Sequence, residues 1–178
     1  LFSQYGMEIF DVKRVATKGG SLRGLVQLSG GDREVTERVA ETLALEREMG
    51  ICTPEVFGAF AVQLAEKKAE LRALLGELKE DGKSIVGYGA SVGVTTLLYQ
   101  FDIAQFLDFL VDDNRAKHNR LSPGDQLRVL PSQALYEDKP DYVLIMAWAY
   151  AEPIMSKHEA FSVAGGHFII PLPETKIV

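Results

Sequence analysis

Cysteine is almost missing from this chain: Cys52 stands alone among 178 residues. A single thiol builds neither an intrachain disulfide nor a cysteine-bound zinc site, so a reducing, cytoplasmic setting is the expectation. Positive charge is also scarce, with 19 Lys and Arg against 25 Asp and Glu, a formal net charge of -6. Binding nucleic acid through its phosphates needs a basic footprint, and none is present, so nucleic acid is excluded as an expected partner. No apolar run reaches the roughly 18 residues of a membrane span, and Leu1-Phe2-Ser3-Gln4-Tyr5 lacks the basic start and apolar middle of a signal peptide. The first residue is not methionine, so the chain is expected to be a piece of something longer, with part of its chemistry upstream.

Recognisable catalytic motifs are missing too. There is no G-x-S-x-G elbow, no P-loop and no H-E-x-x-H pair, which leaves hydrolase and kinase assignments without support. His118, His158 and His167 lie far apart, none beside a cysteine or a second histidine at ligand spacing, so they are expected at the surface or at strand ends. Asp112, Asp113, Asn114 and Asp125 lack the alternating oxygen ligands of a calcium loop, and no metal is expected in this chain.

What is present is an ordinary globular composition, 47% hydrophobic and 25% charged, sufficient for a sizeable core. Glu8 to Val15 alternates apolar and polar, and Leu22 to Leu28 follows after Lys18-Gly19-Gly20-Ser21, which predicts two strands around a glycine-rich connection. A lone pair of this kind is marginal in water, so it is either the edge of a larger sheet or packed against the rest of the chain. Asp32 or a neighbour is expected to cap a helix running to about Met49. A longer helix is predicted from about Val56 to Asp81, with Phe57, Phe60, Leu64, Leu71, Leu74, Leu75 and Leu78 on a packing face.

After Gly82 the pattern changes to short apolar strands alternating with helices. Strands are predicted at Ile85-Val86, Phe106 to Val111, Arg128 to Leu130, Tyr142 to Met146 and His167 to Ile170, with helices through Leu97-Leu98, from Ser132 to Glu137 and near Ala151 to Phe161. That alternation predicts an α/β class, a three-layer Rossmann-like domain with a mostly parallel sheet, preceded by two helices and a strand pair. The expected division is 1–28 for the strand pair, 29–82 for connecting helices and 83–178 for the Rossmann-like domain.

The candidate site begins at Gly87-Tyr88-Gly89-Ala90-Ser91, where a strand breaks into glycines and then a helix, an arrangement that presents backbone N–H groups to an anion. Gly87, Gly89 and Gly93 miss the dinucleotide spacing at the third glycine. Asp112, 25 residues after Gly87, stands where such folds place an acid on a ribose hydroxyl. Two readings stay open: an adenosine-type site, or glycines making a tight turn with Asp112 and Asp113 as turn residues. Ser91, Thr95 and Thr96 offer hydroxyls at the helix start, Ser91 also as its cap, and Trp148 and Tyr150 follow a strand at its carboxyl end.

The order and spacing of several segments resemble the sugar C-methyltransferases, S-adenosylmethionine enzymes of deoxysugar biosynthesis. The segments are Val86 to Ala90, Phe109 to Asn114 with Lys117, Pro140 to Leu144, Ala147-Trp148, Gly165 to Pro173, and at the start Gly6 to Val12 with Gly19 to Arg23. The resemblance implies that the strand pair is the end of an upstream methyltransferase domain. It implies that S-adenosylmethionine is bound by that domain, that zinc belongs to a still earlier one, and that no catalytic or cofactor-binding residue lies in this chain. It also implies a substrate-binding role toward a nucleotide-linked sugar for Gly87, Tyr88, Gly89, Ala90, Ser91, Asp112, Asn114, Lys117 and Trp148. For the intact protein it implies proton removal beside a sugar ketone, then attack of the enolate carbon on the activated methyl group. The fragment is expected to be inactive alone. An NAD(P)-binding module of an oxidoreductase and a non-catalytic nucleotide-sugar binding domain are the alternatives.

Overall fold

The computed structural model describes residues 1–17 and 20–178; part of the expected glycine-rich connection, Lys18-Gly19, lies outside the described residues. Packing divides the chain into two compact units, Leu1–Val62 and Gln63–Val178. The second half of the long helix contributes buried leucines to the larger unit.

In the first unit, β1 (Met7–Val15) and β2 (Ser21–Leu28) form a two-stranded antiparallel sheet with an irregularity between Ile9 and Asp11. Asp11 is the organising residue there. It accepts from the Thr36 hydroxyl at 2.7 Å and forms a two-point ion pair with Arg38; the Thr36 bond first, and then Arg38, hold its carboxyl below the usual range. The following helix α1 (Glu37–Glu48) therefore starts later than the expected Asp32. The Gln27 side chain bonds both the N–H and the carbonyl of Arg33, fixing that residue in a loop, and the Thr36 hydroxyl is spent on Asp11 rather than on a cap.

Helix α2 (Pro54–Glu80) carries the expected stripe, but only its second half is covered. Leu71, Leu75 and Leu78 are buried, whereas Phe57 and Phe60 are 59% and 60% exposed.

The second unit is an α/β three-layer domain, as the alternation of elements predicts. Its strands are β3 (Ile85–Tyr88), β4 (Leu110–Val111), β5 (Arg120–Leu121), β6 (Arg128–Leu130), β7 (Tyr142–Ile145), β8 (His167–Ile170) and β9 (Lys176–Ile177). They lie in the order β5-β6-β4-β3-β7-β8-β9, the five central strands parallel and the two outermost antiparallel to their neighbours. The helices are α3 (Val92–Phe101), α4 (Ala134–Glu137), α5 (Ala151–Lys157) and α6 (Glu159–Val163). The second expected strand is shorter than its apolar run, because Ala104–Phe106 forms a 3-10 turn, and the helix expected near Ala151 to Phe161 is two helices meeting at His158.

Alternate residues of the central strands feed two cores, the outcome expected of strands covered on both faces. Ile85, Leu110, Leu144 and Ile169 pack with the α2 leucines and with Val94, Leu97, Leu98 and Phe101 of α3. Val86, Tyr88, Val111, Val143, Ile145 and Phe168 pack with α4, α5 and α6.

Two aspartates pin the amino ends of these strands. Ser84 donates its N–H and hydroxyl to Asp141 Oδ2, at 2.8 Å each, and Asp141 returns its own N–H to the serine oxygen. Asp108 accepts from the Ile85 N–H at 3.0 Å and from Lys79. The register of β3 is thereby set from its first residue, which decides where its carboxyl end points.

Candidate functional site

The chain runs from β3 to β4 and β6 on one side, then returns across β3 to β7 and β8 on the other. The direction of winding therefore reverses between β3 and β7, and in open parallel sheets the crevice at the carboxyl ends of such a pair is where ligands bind. Two loops border it: Gly89-Ala90-Ser91 after β3, and Met146-Ala147-Trp148 after β7.

Gly89 makes the turn possible. Its φ is +109°, and a Cβ there would lie 3.2 Å from Val94 Cγ2 and 3.4 Å from Ala147 Cβ. Left-handed backbone of this kind is costly for any residue with a side chain. The Ser91 hydroxyl accepts from the Val94 N–H at 3.4 Å, so Ser91 caps α3, while the Thr95 and Thr96 hydroxyls turn back onto the carbonyls of Ser91 and Val92. Val92, in the first turn of α3, is 87% exposed, so the helix start lies open to solvent. Trp148 stands across the crevice, 38% exposed, at the head of a 3-10 turn.

Gly87 and Tyr88, expected to face a ligand, point into the two cores instead, because β3 runs through Tyr88 before the turn begins. A Cβ at Gly87 would come within 2.5 Å of Met146 Cε and 2.8 Å of Leu110 Cδ2, so the glycine is required for packing. Tyr88 sends its hydroxyl to Asp113 at 2.8 Å and meets His158 Nε2 at 3.0 Å. Burial, then the neighbouring Asp113, push the phenol well above its ordinary value. Gly93 lies in the first turn of α3 with only the Ser91 oxygen near its would-be Cβ, at 3.8 Å, so nothing packs against it and the third position imposes no spacing.

Asp112 is the residue that most changes the reading of this loop. It is buried, and its Oδ2 accepts from the Ala90 N–H at 2.8 Å and from Lys117 Nζ at 2.9 Å, while Oδ1 accepts from the Asn114 N–H at 2.8 Å. Burial acts to raise this carboxyl, but the bonds from Asn114, Lys117 and Ala90 outweigh it and hold it below the usual range. One N–H of the glycine turn is thus already occupied by a carboxylate of the protein, and the carboxylate is turned inward. Asn114 folds over it, accepting from the Ala116 N–H at 3.0 Å. His118 Nε2 lies 2.7 Å from the Asp112 carbonyl.

Beside Ala90, between α3 and the strands β4 and β6, lies a cavity of about 190 Å³. Its walls are mainly apolar, and Lys117 and Arg120 contribute its cationic groups. Lys117, Ala90, Asp112 and Asn114 are thus brought together at the end of β4, with Gly89 and Ser91 adjoining.

Sequence reading missed Arg120 and Ser122 of that cavity, the Tyr88 to Asp113 bond, Ser132 and Lys157 on Asp113, and His158. It placed the histidines at the surface or at strand ends. His167, at the start of β8, is exposed as expected, but His158 is 3% exposed and held by two phenols. The 70 residues between Tyr88 and His158 carry no short-range signal of that meeting.

Among the described residues, no group of three His, Cys, Asp or Glu side chains is disposed to hold a metal, and no helix is long and apolar enough to cross a membrane. At this carboxyl edge three bonds from the chain itself, from Ala90, Asn114 and Lys117, fall on the Asp112 carboxylate.

Fold and crevice together define a nucleotide-type α/β domain whose glycine turn is closed by its own aspartate. The chain belongs to the C-methyltransferase C-terminal domain family, whose pattern it matches over residues 16–173. A relative, the C-methyltransferase NovU of Streptomyces niveus, is 32% identical over 179 aligned residues, taking in 100% of this chain and 43% of that protein. The chain thus spans less than half the length of this curated relative.

Proposed function

We propose that this chain is the substrate-side part of a longer S-adenosylmethionine-dependent C-methyltransferase that acts on a nucleotide-linked deoxysugar in the cytoplasm. The observation that carries this reading is the bond from the Ala90 N–H to Asp112. The fold keeps the architecture that holds a nucleotide, but the acid that would take a cofactor ribose is ion-paired to Lys117 inside the protein. The open start of α3, Trp148 and the cavity edged by Lys117 and Arg120 remain to meet an anionic, partly apolar ligand. A nucleotide-linked sugar has that chemistry.

On this reading Ser91, Lys117 and Trp148 touch the substrate, Gly89 and Asn114 shape the loops that do, and the cofactor and the zinc belong to upstream parts of the protein. The exposed apolar residues of the first unit, Leu22, Leu25 and Leu28, agree with a strand pair that belongs to a larger sheet. Exposed Cys52 agrees with a reducing compartment.

Methyl transfer from labelled S-adenosylmethionine to a nucleotide-linked keto-deoxysugar tests the reading, assayed with the 178-residue chain and with the protein extended upstream. The extended protein is expected to transfer label and the chain alone to transfer none. Transfer by the chain alone would overturn it, and so would saturable binding of NAD or NADP at the glycine turn.

A further inference from the structure

His158, where α5 meets α6, is a buried imidazole that the candidate site does not use. Each of its nitrogens meets a phenol: Nε2 lies 3.0 Å from Tyr88 Oη and Nδ1 lies 2.9 Å from Tyr136 Oη. Tyr88 Oη is also 2.8 Å from Asp113 Oδ2. An ionised carboxylate only accepts, so the one hydroxyl proton of Tyr88 goes to Asp113. The phenol oxygen is then left to accept from His158 Nε2–H. In a neutral ring the other nitrogen carries no proton, so it accepts from the Tyr136 hydroxyl.

We infer that Asp113, acting through Tyr88, fixes His158 as the Nε2–H tautomer. His158 is thereby a positioning residue that holds Tyr88 and Asp113 at the carboxyl edge in a single hydrogen-bond direction. The chain runs Tyr136 to His158 to Tyr88 to Asp113, every bond donated toward the carboxylate. Lys157 Nζ and Ser132 Oγ anchor the far end, both on Asp113 Oδ1, at 2.6 and 3.0 Å. That leaves Oδ2 to Tyr88. The titratable and charged groups around the imidazole are Tyr88 of β3, Asp113 beyond β4, Tyr136 of α4 and Lys157 of α5. Burial and the Lys157 charge keep the ring neutral to lower pH than usual, and Asp113 opposes them.

The direction has a consequence for acid. Protonation puts a hydrogen on Nδ1, which obliges Tyr136 to turn from donor to acceptor, while Nε2–H keeps its hold on Tyr88. The disturbance therefore falls on α4, and the carboxyl edge keeps its setting.

The inference rests on the reading that this edge faces the substrate, but its test needs no ligand. Nitrogen-15 spectra of histidine-labelled full-length protein at neutral pH, with the His158 signal assigned from H158Q, report the tautomer. The wild type and Y136F are expected to show Nε2–H. In D113N the amide oxygen stays with Lys157 and Ser132, and its NH2 turns to Tyr88. The chain then reverses, and His158 is expected to switch to Nδ1–H. A wild-type ring that is Nδ1–H or doubly protonated, or a D113N ring that does not switch, overturns the inference. Where D113N does not fold, Y88F serves: both tautomers are expected, and Nε2–H alone would overturn it. Expected tautomers with no binding of a nucleotide-linked sugar would count against the functional reading alone. Unexpected tautomers with intact binding would count against this inference alone.

Discussion

At the scale of single residues, two glycines separated by one position do different work. Gly87 leaves room for Met146 and Leu110 across the sheet, and Gly89 turns the chain with a φ of +109°. Gly87→Val is expected to overpack the core and cost at least about 1–3 kcal/mol. Gly89→Ala is expected to cost about 1–2 kcal/mol through left-handed backbone. Urea unfolding of both variants separates the cases, because a second change, Met146→Ala, should recover part of the loss for Gly87→Val and none for Gly89→Ala. The carboxylates and His158 give a pH dependence whose direction follows from their shifts. The folded-state value of His158 lies below its ordinary 6.5, so its contribution is complete above that pH and declines as the pH falls toward the folded value. Asp112 and Asp113 are also lowered, so their contribution is complete above about 3.9 and is lost as the pH falls through their folded values. Thermal unfolding against pH should therefore fall in two stages, the first absent from His158→Gln. A melting temperature flat from pH 7 to pH 5 in the wild type would contradict the first stage.

At the scale of elements, the long helix shows what a periodic pattern does and does not say. Its apolar stripe is continuous in sequence, yet Leu75 is fully buried while Phe60 is 60% exposed. Leu75→Ala should cost about 2–5 kcal/mol in the 178-residue chain. Phe60→Ala should change it by less than about 0.5 kcal/mol. Calorimetric unfolding of the two variants decides this, and a large loss in Phe60→Ala would show that the face is covered. The central strands β3, β7 and β8 were legible because strands buried on both faces need short unbroken apolar runs, which Ile85-Val86, Tyr142 to Met146 and His167 to Ile170 supply. The edges β5 and β9 were not, since two-residue strands have no period to detect. The start of α1 was misplaced because the groups that delay it, Asp11 and Gln27, lie on distant strands. Of the site, the glycine turn and the acid at Asp112 were visible as residue types. Their pairing through the Ala90 N–H was not, because whether a carboxylate faces solvent or a neighbouring amide depends on how two loops meet.

At the scale of the whole molecule, the chain belongs to the C-methyltransferase C-terminal domain family, and the proposed function offers the crevice of its α/β domain to a substrate. The proposed function puts the cofactor elsewhere, since the acid at this edge is already bonded within the protein. These statements make separable demands on the two ligands. The most direct measurement is the affinity of the full-length protein for S-adenosylmethionine and for a nucleotide-linked sugar, in the wild type and in Trp148→Ala. Loss of the exposed ring should weaken sugar binding by roughly tenfold, the scale of one aromatic contact, and leave S-adenosylmethionine within about twofold. Weakened S-adenosylmethionine with unchanged sugar affinity would contradict the account.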